Sequence, residues 1–212
     1  MTTLATKTMI AVATLALAGV AVFSYAEARR AGSAGVAVAA ADGAPINACA
    51  LLTDAEVAAA VGEEVEPGER HDQGQVGGQG EYATTELYSS TCIWRFVERS
   101  EDAAGRMLDE LEGIQRPLGG RRFAILNAMA WPKGSGEAAK FQQSFHDAFK
   151  TGEIPSAPIP VKVGEEGLWW GDGVASRKGD KSFGISVFLL NGDKPAQKKM
   201  EEALAHKIAD RL

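Results

Sequence analysis

Trp169-Trp170, followed by Gly171-Asp172-Gly173, carries the most chemical content of any stretch in this sequence. Tryptophan joins a large apolar area to one polar N–H, so a tryptophan left on the solvent face or over a groove forms a platform for a sugar, a peptide or a lipid-like ligand. On a strand, adjacent side chains point to opposite faces, and at most one of the two enters a core. Trp169 and Trp170 are therefore the candidate ligand-binding residues. The competing reading is one core tryptophan and one edge tryptophan covering a hairpin. Leu168 shares a face with Trp170, which makes Trp170 the expected core member.

The remaining reactive side chains form no catalytic constellation. His71, His146 and His206 each lack a second His or Cys at ligand spacing, so no metal site and no cofactor is expected. Gly74, Gly77, Gly78 and Gly80 lack the Lys-Ser/Thr and the helix start of a phosphate loop. Neither Gly-x-Ser-x-Gly nor His-Glu-x-x-His occurs. The carboxylate pairs Glu63-Glu64, Glu165-Glu166 and Glu201-Glu202 are sequence neighbours. Glycoside hydrolysis needs two carboxyls facing each other about 5–9 Å apart, and adjacent pairs read as solvated charge. Arg121-Arg122 reads as a solvated strand edge.

Cys49 and Cys92 are the only two cysteines, and the N-terminus places them in an oxidising compartment. Lys7 precedes an uncharged stretch from Thr8 to Ala26, and Ala26-Glu27-Ala28 offers small residues where a signal peptidase cuts. Residues 1–28 are expected to be a signal peptide. The alternative is an uncleaved anchor, but the apolar run ends at Phe23, short of the about 20 residues of a span. Arg29-Arg30 on its outer flank also opposes the positive-inside preference. An extracytoplasmic location follows, and with it a Cys49–Cys92 disulfide. Cys49 stands too far beyond the apolar run to be a lipobox cysteine.

The net charge of −6 excludes a nucleic-acid footprint and gives no reason to dwell on anionic lipid. Membrane attachment is expected only through an uncleaved N-terminal segment.

Residues 29–45, rich in Ala and Gly, read as a flexible leader, and residues 46–212 as a single α+β domain. Thr53-Asp54-Ala55-Glu56 is a capping box for a helix that Gly62 ends. A short strand is expected near Val65, and Pro67 to Gly80 reads as a mobile surface loop. Tyr82–Ser90, Cys92–Val97 and Phe123–Ala130 are β-prone, with Cys92, Trp94 and Phe96 sharing one face. Helices are expected over 100–113, with Ser100 as cap, and over 135–150. Prolines 155, 158 and 160 force an extended connection. Gly179-Asp180 turns a hairpin between Val174–Lys178 and Lys181–Leu190. Asp193 caps a terminal helix whose Met200, Leu204, Ile208 and Leu212 form one stripe. The order predicts an α+β fold: an antiparallel sheet of about five or six strands with helices packed on one face.

Cys49-Ala50-Leu51-Leu52-Thr53, Ala55-Glu56-Val57, Gly62 and Cys92-Ile93-Trp94 together resemble the opening of a family of exported bacterial proteins and lipoproteins of unknown function. In the later half, Gly164-Glu165-Glu166-Gly167, Lys178-Gly179-Asp180, Leu204-Ala205 and Arg211-Leu212 are similar to the same family. The resemblance implies an envelope-located, disulfide-bearing α+β domain and no particular reaction. This chain departs from the lipoprotein members by lacking their lipobox.

The expected function is a non-enzymatic binding or interaction module of the cell envelope, whose partner is an envelope ligand or another exported protein. The alternatives are a carboxylate-dependent hydrolase of envelope polymers and an inhibitor or structural partner of another exported protein. An aromatic-lined pocket favours the first, facing carboxylates with separated pKa values the second, and an exposed apolar patch the third.

Overall fold

The computed structural model describes residues 45–77, 86–113, 121–189 and 193–212. The expected signal peptide, residues 1–28, and the leader up to residue 44 lie outside the described residues. Among the described residues, no helix is long and apolar enough to cross a membrane.

The chain forms an α+β fold around one antiparallel sheet. Helix α1 (Ala48–Leu51) leads into α2 (Asp54–Val61), which starts at the expected capping box. The Thr53 hydroxyl accepts the Glu56 N–H at 3.2 Å, and the Glu56 carboxylate accepts the Thr53 N–H at 3.0 Å. Gly62 ends the helix at φ 74°, a conformation that favours glycine. Then come β1 (Glu69–Gly77), β2 (Glu86–Arg95), α3 (Ser100–Leu111) and β3 (Phe123–Ala130). Helix α4 (Glu137–Thr151) is followed by β4 (Ile159–Val161), β5 (Glu166–Trp169), β6 (Val174–Lys178) and β7 (Lys181–Phe188). Helix α5 (Lys194–Arg211) closes the chain.

The seven strands lie in the order β1-β2-β3-β7-β6-β5-β4, two meanders that meet where β3 pairs with β7. Seven exceeds the five or six expected because both sheet edges are strands that composition disguises. Pro67–Gly77 was expected to be part of a mobile loop, yet β1 pairs with β2 from Glu69↔Ile93 to Gly77↔Glu86. An edge strand is held by its backbone ladder on one side and needs no apolar alternation. Residues 78–80 of that expected loop lie outside the described residues. At the other edge, Pro160 falls within β4, a position that an edge strand tolerates. Near Val65 there is a single bridge to Phe96 rather than a strand.

Period-two alternation divides the core between the two faces. On the front face, Cys92 and Trp94 of β2, Leu126 of β3 and Phe183, Ile185 and Val187 of β7 pack under α1, α2 and α5. Leu204 and Ile208 of the expected α5 stripe are fully buried there, while Met200 and Leu212 pack at its margin. The Cys49–Cys92 disulfide, Cα–Cα 5.1 Å, pins α1 to β2. Arg211 at the end of α5 donates to both Glu56 oxygens at 2.7 Å and to the Leu51 carbonyl at 2.8 Å. Those hydrogen bonds hold the Glu56 carboxyl well below the usual carboxylate range. Helices α1, α2 and α5 follow the one-face expectation, whereas α4 covers the back face, where its Phe145 packs with Leu168 of β5 and Ala175 of β6.

Candidate functional site

Trp169 and Trp170 project from opposite sides of the sheet, as adjacent strand residues must. Trp169 faces front and packs against the main core. Its indole N–H donates to Glu201 of α5 at 2.8 Å, and Lys198 lies 5.9 Å from its ring centre. Trp170 faces back, its ring 5.0 Å from Phe145 and folded over Gly173, where no Cβ would fit. Both indoles are half-buried, each under its own helix. The expected split into one core and one surface tryptophan is thus replaced by two half-buried residues, and Trp169 rather than Trp170 packs against the main core.

Glu201 was expected to be solvated charge, and the structure corrects this: it is fully buried. One carboxylate oxygen accepts the Trp169 N–H. The other accepts the Val187 N–H and the Gln197 side-chain N–H, both at 2.9 Å. Burial pushes its pKa up to about 6, with those three donors opposing. Among the described residues, no second carboxylate is hydrogen-bonded at this site. Glu165 and Glu166 instead both bind Arg177 at 2.9 Å. Among the described residues, no group of three or more His, Cys, Asp or Glu is arranged to hold a metal ion. His71 lies on β1, its Nε2 2.9 Å from Glu69, and His146 lies on α4.

Arg122, expected at a solvated edge, is only 5% exposed. It donates to Asp102 of α3 through Nε at 3.2 Å and Nη2 at 2.8 Å, and it also pairs with Glu63. Its guanidinium lies 5.4 Å from the Phe96 ring centre. Asp102 accepts the Arg99 N–H at 3.2 Å, so Arg99, rather than Ser100, occupies the cap position of α3. Hydrogen bonds from Arg99 and then from Arg122 hold the Asp102 carboxyl below its usual range, against the effect of burial.

This polar anchor grips only the first turn of α3. At 3.6 residues per turn, the apolar stripe Ala103, Ala104, Met107, Leu108 and Leu111 lies on the side of the helix away from Asp102. It points into solvent: Met107 is 66% exposed, Leu108 60% and Leu111 78%. An amphipathic helix normally turns such a stripe to the core. Here a buried ion cluster takes the inner side and leaves the apolar side outward. The candidate functional site is this face of α3.

Residues 100–113 read as a helix from the sequence, but nothing local marks their apolar stripe as a site. The spacing of Met107, Leu108 and Leu111 was legible. Its outward direction depends on Arg122, which is twenty residues from Asp102 in the chain. Comparison of the chain with models of protein families, with curated proteins and with solved structures finds no match.

Proposed function

We propose that this chain is an exported, extracytoplasmic interaction module that performs no reaction and docks another protein on the apolar face of α3. The observation that carries the reading is the exposure of Met107, Leu108 and Leu111 together on a helix whose other side is anchored by Arg122 and Asp102. Monomeric proteins seldom leave contiguous apolar side chains in water unless a partner covers them. The uncharged segment from Thr8 to Ala26 and the Cys49–Cys92 bridge support export. The resemblance to exported bacterial envelope proteins points the same way.

The hydrolase reading loses ground on the carboxylates. Glu201 is sealed by Trp169, Gln197 and Val187, and Glu165 and Glu166 share Arg177. Neither set leaves two carboxyls facing across a cleft.

Export is tested by fractionating producing cells and weighing the chain; full-length recovery in the cytoplasm refutes it. Docking is tested by a photo-reactive side chain at position 108, with position 149 as control, since Phe149 is an exposed apolar residue on α4. A discrete adduct at 108 that Leu111→Glu abolishes is the expected result. Equal adducts at 108 and 149, or none, refute the reading.

A further inference from the structure

We infer that the partner segment seated on α3 is a cationic amphipathic helix, an inference that rests on the docking role proposed above. The stripe is bordered by carboxylates on both sides. On the helical wheel Glu110 flanks it beside Ala103 and Met107, and Glu101 and Glu112 flank it beside Leu108. From Glu98 to Glu112 the sequence carries six carboxylates against two arginines. Both arginines are already committed. Arg106 pairs with Glu98, and Arg99 pairs with Glu101 at 3.1 Å and Asp102 at 3.2 Å.

Glu110 and Glu112 are exposed and have no ion pair among the described residues. They stand at the C-terminal end of α3, whose last turn holds no basic residue. Carbonyl oxygens give that end of a helix partial negative charge, so carboxylates there weaken the helix and cations strengthen it. Within the described residues the arrangement disfavours α3 in isolation, and Lys or Arg from a partner relieves it. A second copy would set the same carboxylates against each other. An anionic bilayer would repel them likewise. A helix with a leucine-type stripe bordered by Lys or Arg satisfies the apolar centre and the charged rim together.

The test uses the full chain and two fluorescent peptides of equal length with leucines at identical helical positions, one filled out with lysine and one with glutamate. The lysine peptide should bind and weaken as salt rises, and the glutamate peptide should bind at least about tenfold more weakly. Glu110→Gln with Glu112→Gln should weaken the lysine peptide alone. Leu108→Glu with Leu111→Glu should abolish its binding while leaving the melting temperature unchanged.

Equal binding of the two peptides overturns the inference. So does lysine-peptide binding that survives Leu108→Glu with Leu111→Glu. Self-association that Leu111→Glu disrupts would assign the face to a second copy. Capture by phosphatidylglycerol vesicles that the same variant abolishes would assign it to lipid. Either overturns the inference. If neither peptide binds while the position-108 adduct persists, the cationic partner falls and the docking role stands. Loss of that adduct removes the docking role itself.

Discussion

Trp169 donates its indole N–H to Glu201 at 2.8 Å, joining β5 to α5 through the only part of the indole that is not apolar. The carboxylate it reaches is fully buried, and burial raises its pKa from 4.5 to about 6. Between those values the folded chain keeps a proton that the unfolded chain has released. The stabilising contribution is therefore complete below pH 4.5 and is lost as pH rises through about 6. It amounts to about 2 kcal/mol. Urea unfolding of the parent and of Glu201→Gln across this range should show the difference in their stabilities changing by that amount. A constant difference would mean that Glu201 titrates normally.

Arg122→Met tests the anchor of α3. The substitution leaves the Asp102 carboxylate buried with Arg99 as its remaining partner, and removing one member of a buried pair costs about 3 kcal/mol. Hydrogen exchange should locate the loss, with amides of 100–111 exchanging much faster than those of β7. Uniform acceleration across both would show that the cluster supports the whole sheet rather than this helix.

Local chemistry was readable from the sequence wherever the deciding partner lies within a few residues. The Thr53–Glu56 capping box, the Gly179-Asp180 turn and the Phe123–Ala130 strand all appear as expected. What escaped was set by distant partners. Arg122 looks like surface charge until Asp102 and Glu63, 20 and 59 residues away, are folded against it. Glu201 looks solvated until β7 supplies the Val187 N–H. β1 escaped because its hydrogen-bonding partner, and not its own side chains, makes it a strand. The α3 stripe shows the same limit: the pattern is local, but its direction is not.

The disulfide gives a third prediction. Cys49 and Cys92 are separated by 43 residues, and closing a loop of that length removes about 4 kcal/mol of unfolded-state entropy. Cys49→Ser with Cys92→Ser should lower the melting temperature by several degrees. Thiol trapping of the unreduced parent should find no free thiol; two alkylated cysteines in the native protein would contradict the bridge.

The two tryptophans should fail in chemically different ways, although both are half-buried. Trp169→Phe keeps most of the ring area against the front core but withdraws one of the three donors to Glu201. The carboxylate loses stabilisation of its charged form, so its pKa should rise further above about 6. The pH-dependent part of stability should then extend to higher pH, at a cost near neutrality of about 1–2 kcal/mol. Trp170→Ala instead empties the seam between Phe145 and Gly173 without touching that carboxylate. Its cost should be about 2–3 kcal/mol, below that of a fully buried tryptophan, and the same at every pH between 5 and 8. Paired urea titrations of both variants over that range separate the two roles. If Trp170→Ala shifts the pH profile and Trp169→Phe leaves it unchanged, the hydrogen bond to Glu201 is not what couples β5 to α5.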